Sequence, residues 1–256
     1  MAISPRKALL LTKNIMGFRP NDIILASFPR AGSTWVRFIL CSYLSLQEMS
    51  GQAVDLQILD DIMPTLSQSD LTERWSYAAL PRFIKTHQPH RPLIFNTPRR
   101  VVYVLRDPRD VAVSYYRYLQ NHTQRQAPSE FSAFLRHERY GLAACIRHFL
   151  SWAPHVNFTL RYEALKGDTG AAMSSLFTAL NIPVDGEVLR EAIERSDFRA
   201  MRAVLEQKGL SHAERFTPAF RVVNKGSTQE WVSYFSESDI ALYAQLRERL
   251  EFEPYP

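Results

Sequence analysis

The sequence predicts an α/β fold with a central parallel sheet flanked by helices on both faces. Continuously apolar strand candidates at 23–28, 82–85, 101–105 and 156–160 alternate with longer helical patterns. Strands that are apolar on both faces are typical of parallel sheets buried between helices. The chain has 256 residues and 46% hydrophobic residues, which suits one large domain spanning 1–256, with an irregular, mobile insertion at about 48–76.

The helical patterns fall between and after these strands. Apolar residues recurring every three or four positions predict helices, each with one face turned to the sheet. Asp107 followed by Pro108 indicates a helix start, because aspartate is a favoured N-cap and proline a favoured first helical residue. The predicted helices are 34–47, 108–121, 130–138, 141–152, 171–180, 187–195 and 238–250.

Composition and charge narrow the classes of protein. A formal net charge of +5 suits an anionic ligand but is too small to indicate a nucleic-acid partner. Cys41 and Cys145 lie in apolar helical patterns, which favours small buried side chains over a disulfide or metal pair. The apolar run at 8–11 is too short for a signal peptide or a membrane span. We therefore expect a soluble, cytoplasmic protein without a membrane partner.

The loop after the first strand has the composition of an anion site. The strand at 23–27 runs into Phe28-Pro29-Arg30-Ala31-Gly32-Ser33-Thr34-Trp35 and then into a helix. Gly32 would let the backbone approach a ligand closely, and Ser33 and Thr34 supply hydroxyl groups. The N-terminus of the following helix adds unpaired N–H groups, and Arg30 adds a full charge.

Two further strand ends carry chemically useful side chains. The second strand delivers His87 beside Lys85, and the third ends at Arg106, with Ser114 about two helical turns beyond it. Because carboxyl ends of parallel strands share one edge of the sheet, Arg30, His87 and Arg106 should converge there. His87 is the candidate general base. The other histidines are interpreted as structural: His90, His122, His137, His148, His155 and His212.

These segments leave structural alternatives open. Arg106 could simply pair with Asp110, four residues on, while Ser114 is a solvated helix residue. Lys225-Gly226, in a polar loop before the last helix, could close over a phosphate, since glycine admits the anion and lysine neutralises it. The same loop could equally be an ordinary surface loop.

Taken together and in order, the segments resemble the sulfotransferases that use 3′-phosphoadenosine 5′-phosphosulfate (PAPS). The first loop is similar to the 5′-phosphosulfate loop of that family, the segment from Arg106 to Ser114 to its 3′-phosphate motif, and Lys85-Thr86-His87 to its catalytic segment. Departures are Arg30 where lysine is usual, Ala31 where serine is usual, and Asn224 where arginine is common. The contacts to PAPS, or to its product adenosine 3′,5′-bisphosphate (PAP), that the resemblance implies involve Arg30, Ala31, Gly32, Ser33, Thr34, Trp35, Arg106, Ser114, Tyr162, Ser196, Phe198, Asn224, Lys225 and Gly226.

The resemblance also implies a fold like that of P-loop-containing nucleotide hydrolases, a mechanism and an acceptor class. His87 would be the general base, and Arg30 and Lys85 would stabilise charge on the transferring sulfonate and the leaving oxygen. No metal ion is expected, since arginine and lysine supply the positive charge. The acceptor is expected to be a small molecule bearing a hydroxyl or an amine, in a pocket built from loops at 48–76, 122–128 and 208–220.

Two other classes of function remain as alternatives. A kinase or nucleotide hydrolase with a P-loop needs G-x-x-x-x-G-K-[ST], whereas this loop has a single glycine and no Gly-Lys pair. A non-catalytic nucleotide- or RNA-binding module predicts aromatic and basic residues interleaved on one face of the sheet, whereas these strands are apolar.

Overall fold

A central sheet organises the chain, which the computed structural model describes for residues 5–92, 94–95, 99–124, 127–208 and 226–255. All strand pairs in it are parallel, and the strand order is β2-β1-β3-β4. Its strands are β1 (Ile23–Ser27), β2 (Phe83–Thr86), β3 (Arg100–Leu105) and β4 (Phe158–Arg161). The predicted α/β fold is confirmed, with strand bounds within two residues of those expected.

The register of the sheet aligns the carboxyl ends of its strands. Ala26 of β1 lies beside Thr86 of β2 on one side and Tyr103 of β3 on the other. The residues that follow β1, β2 and β3 therefore leave the sheet at one edge, where ligands bind in sheets of this kind.

Helices cover both faces of the sheet because alternate strand residues point to opposite sides. Ile23 and Leu25 lie in one hydrophobic cluster, and Ile24 and Ala26 lie in the other. The helices are α1 (Pro5–Gly17), α2 (Ser33–Glu48), α3 (Leu56–Ile62), α4 (Pro108–Gln120), α5 (Phe131–Leu135), α6 (Leu142–Trp152), α7 (Tyr162–Gly167), α8 (Thr169–Ala179), α9 (Gly186–Arg195), α10 (Phe198–Lys208) and α11 (Glu237–Arg249).

The predicted helices correspond to α2, α4, α5, α6, α8, α9 and α11, with α5 shorter than expected. Asp107 is the N-cap of α4 and accepts from the Arg109 amide at 2.8 Å, with Pro108 at the start, as predicted. Helices α1, α3, α7 and α10 were not predicted. Cys41 and Cys145 are both free and buried.

The prediction that the segment at 48–76 is irregular was wrong. It contains α3, which starts because the Asp55 carboxylate caps the Ile58 amide at 2.8 Å. Several of its apolar side chains are buried, and Leu59 and Leu71 are fully so. The segment also pairs with the outer side of β2 at Thr65 and Lys85. The polar residues around α3 hide this pattern in the sequence; mobility of the segment stays a prediction.

No helix in the described ranges is long and apolar enough to cross a membrane.

Candidate active site

A cavity of about 360 Å³ opens at the carboxyl edge of the sheet. Residues after all four strands contribute to it, and so does the segment that begins at Gly226. It brings together most of the residues predicted for the site. Its lining includes Pro29, Arg30, Gly32, Ser33, Thr34, Trp35, Gln68, Lys85, His87, Arg106, Ser114, Tyr115, Arg117, Tyr118, Tyr162, Phe198, Met201, Gly226, Ser227 and Glu230.

The loop after β1 is shaped by two residues in left-handed conformations. Gly32 has φ +106°, and a Cβ placed there would lie 2.5 Å from Cδ2 of Tyr162. No other residue fits this position without displacing the tyrosine. Arg30 has φ +71°, a conformation that costs energy for a residue with a side chain. Helix α2 then begins at Ser33, so its first amides, together with Ser33 and Thr34, form a cradle for an anion.

Arg30 makes a contact that the sequence did not predict. Its Nε donates to Oγ of Ser114 at 3.3 Å, and its guanidinium lies over the Tyr118 ring at 5.2 Å. Burial lowers the pKa of Arg30. The two anion sites expected separately after β1 and β3 are thus joined into one through Arg30 and Ser114.

Arg106 is buried, with only 7% of its surface exposed. Its Nη2 donates to the carbonyl of Ser227 at 2.9 Å, and its guanidinium lies 4.4 Å from the centre of the Tyr162 ring. The pairing with Asp110 considered above exists at 3.9 Å, but Ser114 lines the cavity instead of being solvated. Within the described residues, Nε of Arg106 has no hydrogen-bond partner. Arg106 lines the cavity, so an anion bound at this end would lie beside a permanent positive charge.

The segment from Gly226 to Trp231 covers this end of the cavity. Gly226 has φ +60°, and a Cβ there would lie 2.5 Å from the Phe198 ring. The Asp110 carboxylate accepts from the amides of Gln229 at 2.8 Å and Trp231 at 3.2 Å, which fastens the segment to α4. Asn224 and Lys225, both predicted to bind the cofactor, lie outside the described residues.

A second set of contacts holds the covering segment against α4. Arg117 forms an ion pair with Glu230 at 2.6 Å. Its Nε also donates to the Tyr234 hydroxyl at 2.9 Å. Because Arg117 and Glu230 both line the cavity, this pair brings the covering segment and α4 together over its opening.

His87 is held in one tautomer. Its Nδ1 lies 2.8 Å from the carbonyl oxygen of Ser27, so Nδ1 carries the proton and donates it, which leaves a lone pair on Nε2. Burial, followed by the charge of Lys85, holds the pKa of His87 well below its usual value. The imidazole is therefore neutral at physiological pH and can accept a proton.

The pKa of Lys85 is unusually low for a lysine. Burial, then the charge of Arg37, and to a smaller extent that of Arg30, lower its pKa to about 7. An anion in the cavity would favour the charged form again. Lys85 is thus a group whose charge responds to what the cavity holds.

Aromatic rings frame the cavity beside α2. The Trp35 ring lies 4.7 Å from that of Phe198 and 5.9 Å from that of Tyr162, measured between centroids. The indole N–H of Trp35 donates to the Ser196 carbonyl at 2.9 Å. This fixes the orientation of the Trp35 ring.

Two predicted cofactor contacts are not brought into the cavity. The hydroxyl of Ser196 is fully buried and donates to Oγ of Ser42 at 3.1 Å. Ala31 packs into the hydrophobic cluster beneath the loop. The physical reason is the same for both, since each side chain is buried in the interior.

Sequence reasoning missed several lining residues. Arg117 and Tyr118 follow Ser114 at helical spacing on α4, a signal that could have identified them. Gln68 comes from the segment expected to be an irregular insertion, and nothing in its sequence context singles it out. The remaining residues missed are Pro29, Tyr115, Met201, Ser227 and Glu230.

Comparisons with known proteins agree with this geometry. A family model described as "Sulfotransferase domain" matches residues 20–249. Human sulfotransferase 2A1 is 26% identical over 235 residues, which cover 85% of this chain and 80% of that protein. Rat sulfotransferase 2B1 is 26% identical over 274 residues, which cover 97% of this chain and 76% of that protein.

Solved structures show the same fold. The crystal structure of mouse sulfotransferase SULT7A1 complexed with PAP has a TM-score of 0.72 at 20% identity, covering 98% of this chain and 91% of that one. The structure of retinol dehydratase in a complex with retinol and PAP has a TM-score of 0.72 at 19% identity, covering 99% of this chain and 88% of that one.

Proposed function

The chain belongs to the sulfotransferase family, and on this premise we propose that it transfers a sulfuryl group from PAPS to a hydroxyl of a small molecule, releasing PAP. The observation that carries the proposal is the arrangement around one cavity. An anion cradle after β1 and the buried cation of Arg106 lie on the same cavity as a neutral His87. The reaction requires groups that bind the phosphates of the nucleotide and a group that accepts a proton.

The cavity fits a nucleotide with two phosphate groups. Gly32, Ser33 and Thr34 at the start of α2 would hold the 5′-phosphate. Arg106 and Ser114 would hold the 3′-phosphate through charge-assisted hydrogen bonds. The aromatic group of Trp35, Phe198 and Tyr162 offers flat apolar surfaces for adenine. Lys225 and Gly226 are proposed to close over the 3′-phosphate.

The chemistry assigns a separate task to each group near the transferring sulfonate. PAPS supplies a sulfuryl group whose bond to the phosphate oxygen breaks as a bond to the acceptor oxygen forms. Nε2 of His87 takes the proton of the acceptor hydroxyl, which makes the oxygen a better nucleophile. Arg30 and Lys85 stabilise the negative charge on the sulfonate and the leaving oxygen. These cations supply the charge that a metal ion would otherwise provide, so we propose a reaction without a metal.

The acceptor is proposed to be a small hydroxylated molecule. The solved structures of retinol dehydratase contain retinol in one case and androsterone in another, both small molecules. In this chain Lys85 and His87 belong to β2 and its end, whereas the proposed nucleotide contacts follow β1, β3 and β4. The acceptor would therefore approach from the β2 side, where Gln68 also lines the cavity.

Transfer of labelled sulfur tests the proposal. The protein is incubated with PAPS carrying ³⁵S and a panel of phenols, alcohols and amines, with and without a chelator, and products are separated by chromatography. Labelled acceptor and stoichiometric PAP are expected from the wild type, with the chelator having no effect. Tight PAP binding without transfer to any acceptor would favour the non-catalytic module. Transfer of phosphate from labelled ATP would favour the kinase.

A further inference from the structure

A second buried arginine lies one helical turn beyond the anion cradle. Arg37 is on α2 and is 2% exposed. Its Nη2 donates to the carbonyls of Leu59 at 3.1 Å and Met63 at 2.9 Å. The same nitrogen reaches Oδ1 of Asp60 at 2.8 Å. Arg37 does not line the cavity, so the proposed function assigns it no role.

The backbone that Arg37 holds continues directly to Lys85. Met63 precedes Pro64, whose carbonyl accepts a hydrogen bond from the Lys85 amide at 2.9 Å. The Leu66 amide donates to the Lys85 carbonyl at 2.8 Å. On its inner side Lys85 is paired with Leu25 of β1. Arg37 thus connects the helix of the anion cradle to the outer backbone support of Lys85.

Packing α2 against α3 does not by itself require an arginine at position 37. A buried cation carries a desolvation cost of several kcal/mol, and an apolar pair could join α2 to α3 without it. The partners of Arg37 are carbonyls at the C-terminal end of α3 and one carboxylate, of Asp60, whose side chain is 57% exposed. The charge of Arg37 therefore remains only partly compensated inside the protein.

That charge acts on Lys85 and His87. Arg37 lowers the pKa of both, after burial in the case of Lys85 and as a smaller contribution for His87. Asp60 acts on Lys85 in the opposite direction, and Arg30 acts in the same direction as Arg37. Arg37, Asp60 and Arg30 are thus the charged groups that act on the ionisation of Lys85, and the charge of Lys85 in turn lowers the pKa of His87.

We propose that Arg37 is a positioning residue for sulfuryl transfer that acts through Lys85, by fixing the backbone from Leu59 to Leu66 that supports Lys85 and by adding a permanent positive charge to the surroundings of its ammonium group. The proposal rests on the sulfotransferase function proposed for the same cavity.

Chemical labelling tests it without any need for turnover. Competitive acetylation of Lys85 by acetic anhydride, followed across pH by mass spectrometry, measures the fraction of neutral lysine. The wild-type midpoint is expected near pH 7. Arg37→Met should move it to higher pH, because a nearby cation is lost, and Asp60→Asn should move it to lower pH, because a nearby anion is lost. Identical midpoints in all three proteins would overturn the proposal, whether or not the protein transfers sulfate.

Kinetics of the same variants separate positioning from general stability. Arg37→Met should lower kcat by about 10- to 100-fold, as expected when a reacting group is misplaced, and KM for PAPS should change much less. In a Lys85→Met background the same substitution should cause no further loss. If the loss of kcat in the Arg37→Met, Lys85→Met double variant equals the product of the losses in the two single variants, Arg37 does not act through Lys85.

Two more variants keep the test decisive if Arg37→Met folds poorly. Arg37→Lys keeps the charge but loses the planar fork of donors, so the acetylation midpoint should stay near that of the wild type while kcat falls. Arg190→Met removes an exposed arginine with two ion pairs on α9 and should alter neither readout. Equal kcat for Arg37→Lys and the wild type would refute the role of the hydrogen bonds.

Discussion

Replacing Arg106 with alanine examines the proposed 3′-phosphate site at its centre. The substitution removes the donor to the Ser227 carbonyl at 2.9 Å, the cation over the Tyr162 ring and the unpartnered Nε. Hydrogen bonds to charged groups contribute about 1.5–3 kcal/mol each. Taking about 2 kcal/mol for the phosphate contact, the dissociation constant for PAP should rise by about 30-fold.

Isothermal titration calorimetry with two ligands measures this effect. PAP carries a 3′-phosphate and adenosine 5′-monophosphate does not, so only the affinity for PAP should fall in Arg106→Ala. Arg190→Ala is the control. Arg190 is exposed on α9, where it pairs with Glu187 and Glu194, and it does not line the cavity. This control should bind PAP as the wild type does.

A third variant separates charge from geometry. Arg106→Lys retains the charge near Asp110 but cannot present the same fork of donors, so its PAP affinity should be intermediate. The reasoning is refuted if Arg106→Ala binds PAP as tightly as the wild type. It is also refuted if the variant loses as much affinity for adenosine 5′-monophosphate as for PAP.

Four further substitutions test other parts of the site. His87→Ala should lower kcat by about 10²-fold or more and leave the affinity for PAP unchanged; unchanged turnover would exclude His87 as the base. Because burial depresses the pKa of His87, the acid limb of the wild-type kcat/KM profile should lie below pH 6.5. Gly32→Ala should abolish measurable PAP binding in calorimetry, since its Cβ would lie 2.5 Å from Tyr162; retained affinity would contradict the cradle. Arg30→Lys should keep activity within about tenfold in the ³⁵S assay, because a charge remains; complete inactivation would show that the guanidinium is required. Gln68→Leu should change KM for the acceptor but not for PAPS in steady-state kinetics; the reverse pattern would place Gln68 on the donor side.

The sequence was sufficient to predict which side chains lie at the carboxyl ends of the strands. Apolar strands that alternate with helices dictate a parallel sheet, and a parallel sheet aligns its strand ends, so Arg30, His87 and Arg106 had to approach one another. Gly32 could be assigned because a close backbone approach needs the residue without a Cβ. Asp107 and Pro108 could be assigned because helix starts depend on local chemistry.

Other features depend on contacts distant in sequence. Helix α3 was not predicted, since its polar residues hide a buried side that is recognisable only where it packs on α2. The hydroxyl of Ser196 turns inward to Ser42, an orientation that no pattern in the sequence indicates. The contact between Arg30 and Ser114 spans 84 residues, and no local pattern specifies which of two nearby arginines reaches the serine.

Sequence alone therefore determined the sheet and the place of the loop after β1 and of His87 at its edge, because periodicity and backbone requirements are local properties that each segment carries with it. Only the tertiary structure decided how the charges around Lys85 are distributed. The ionisation of Lys85 depends on burial and on Arg37, Asp60 and Arg30, which come from three different segments. Electrostatic interactions act through space and strengthen as water is excluded, so they become defined only when the fold brings those segments together.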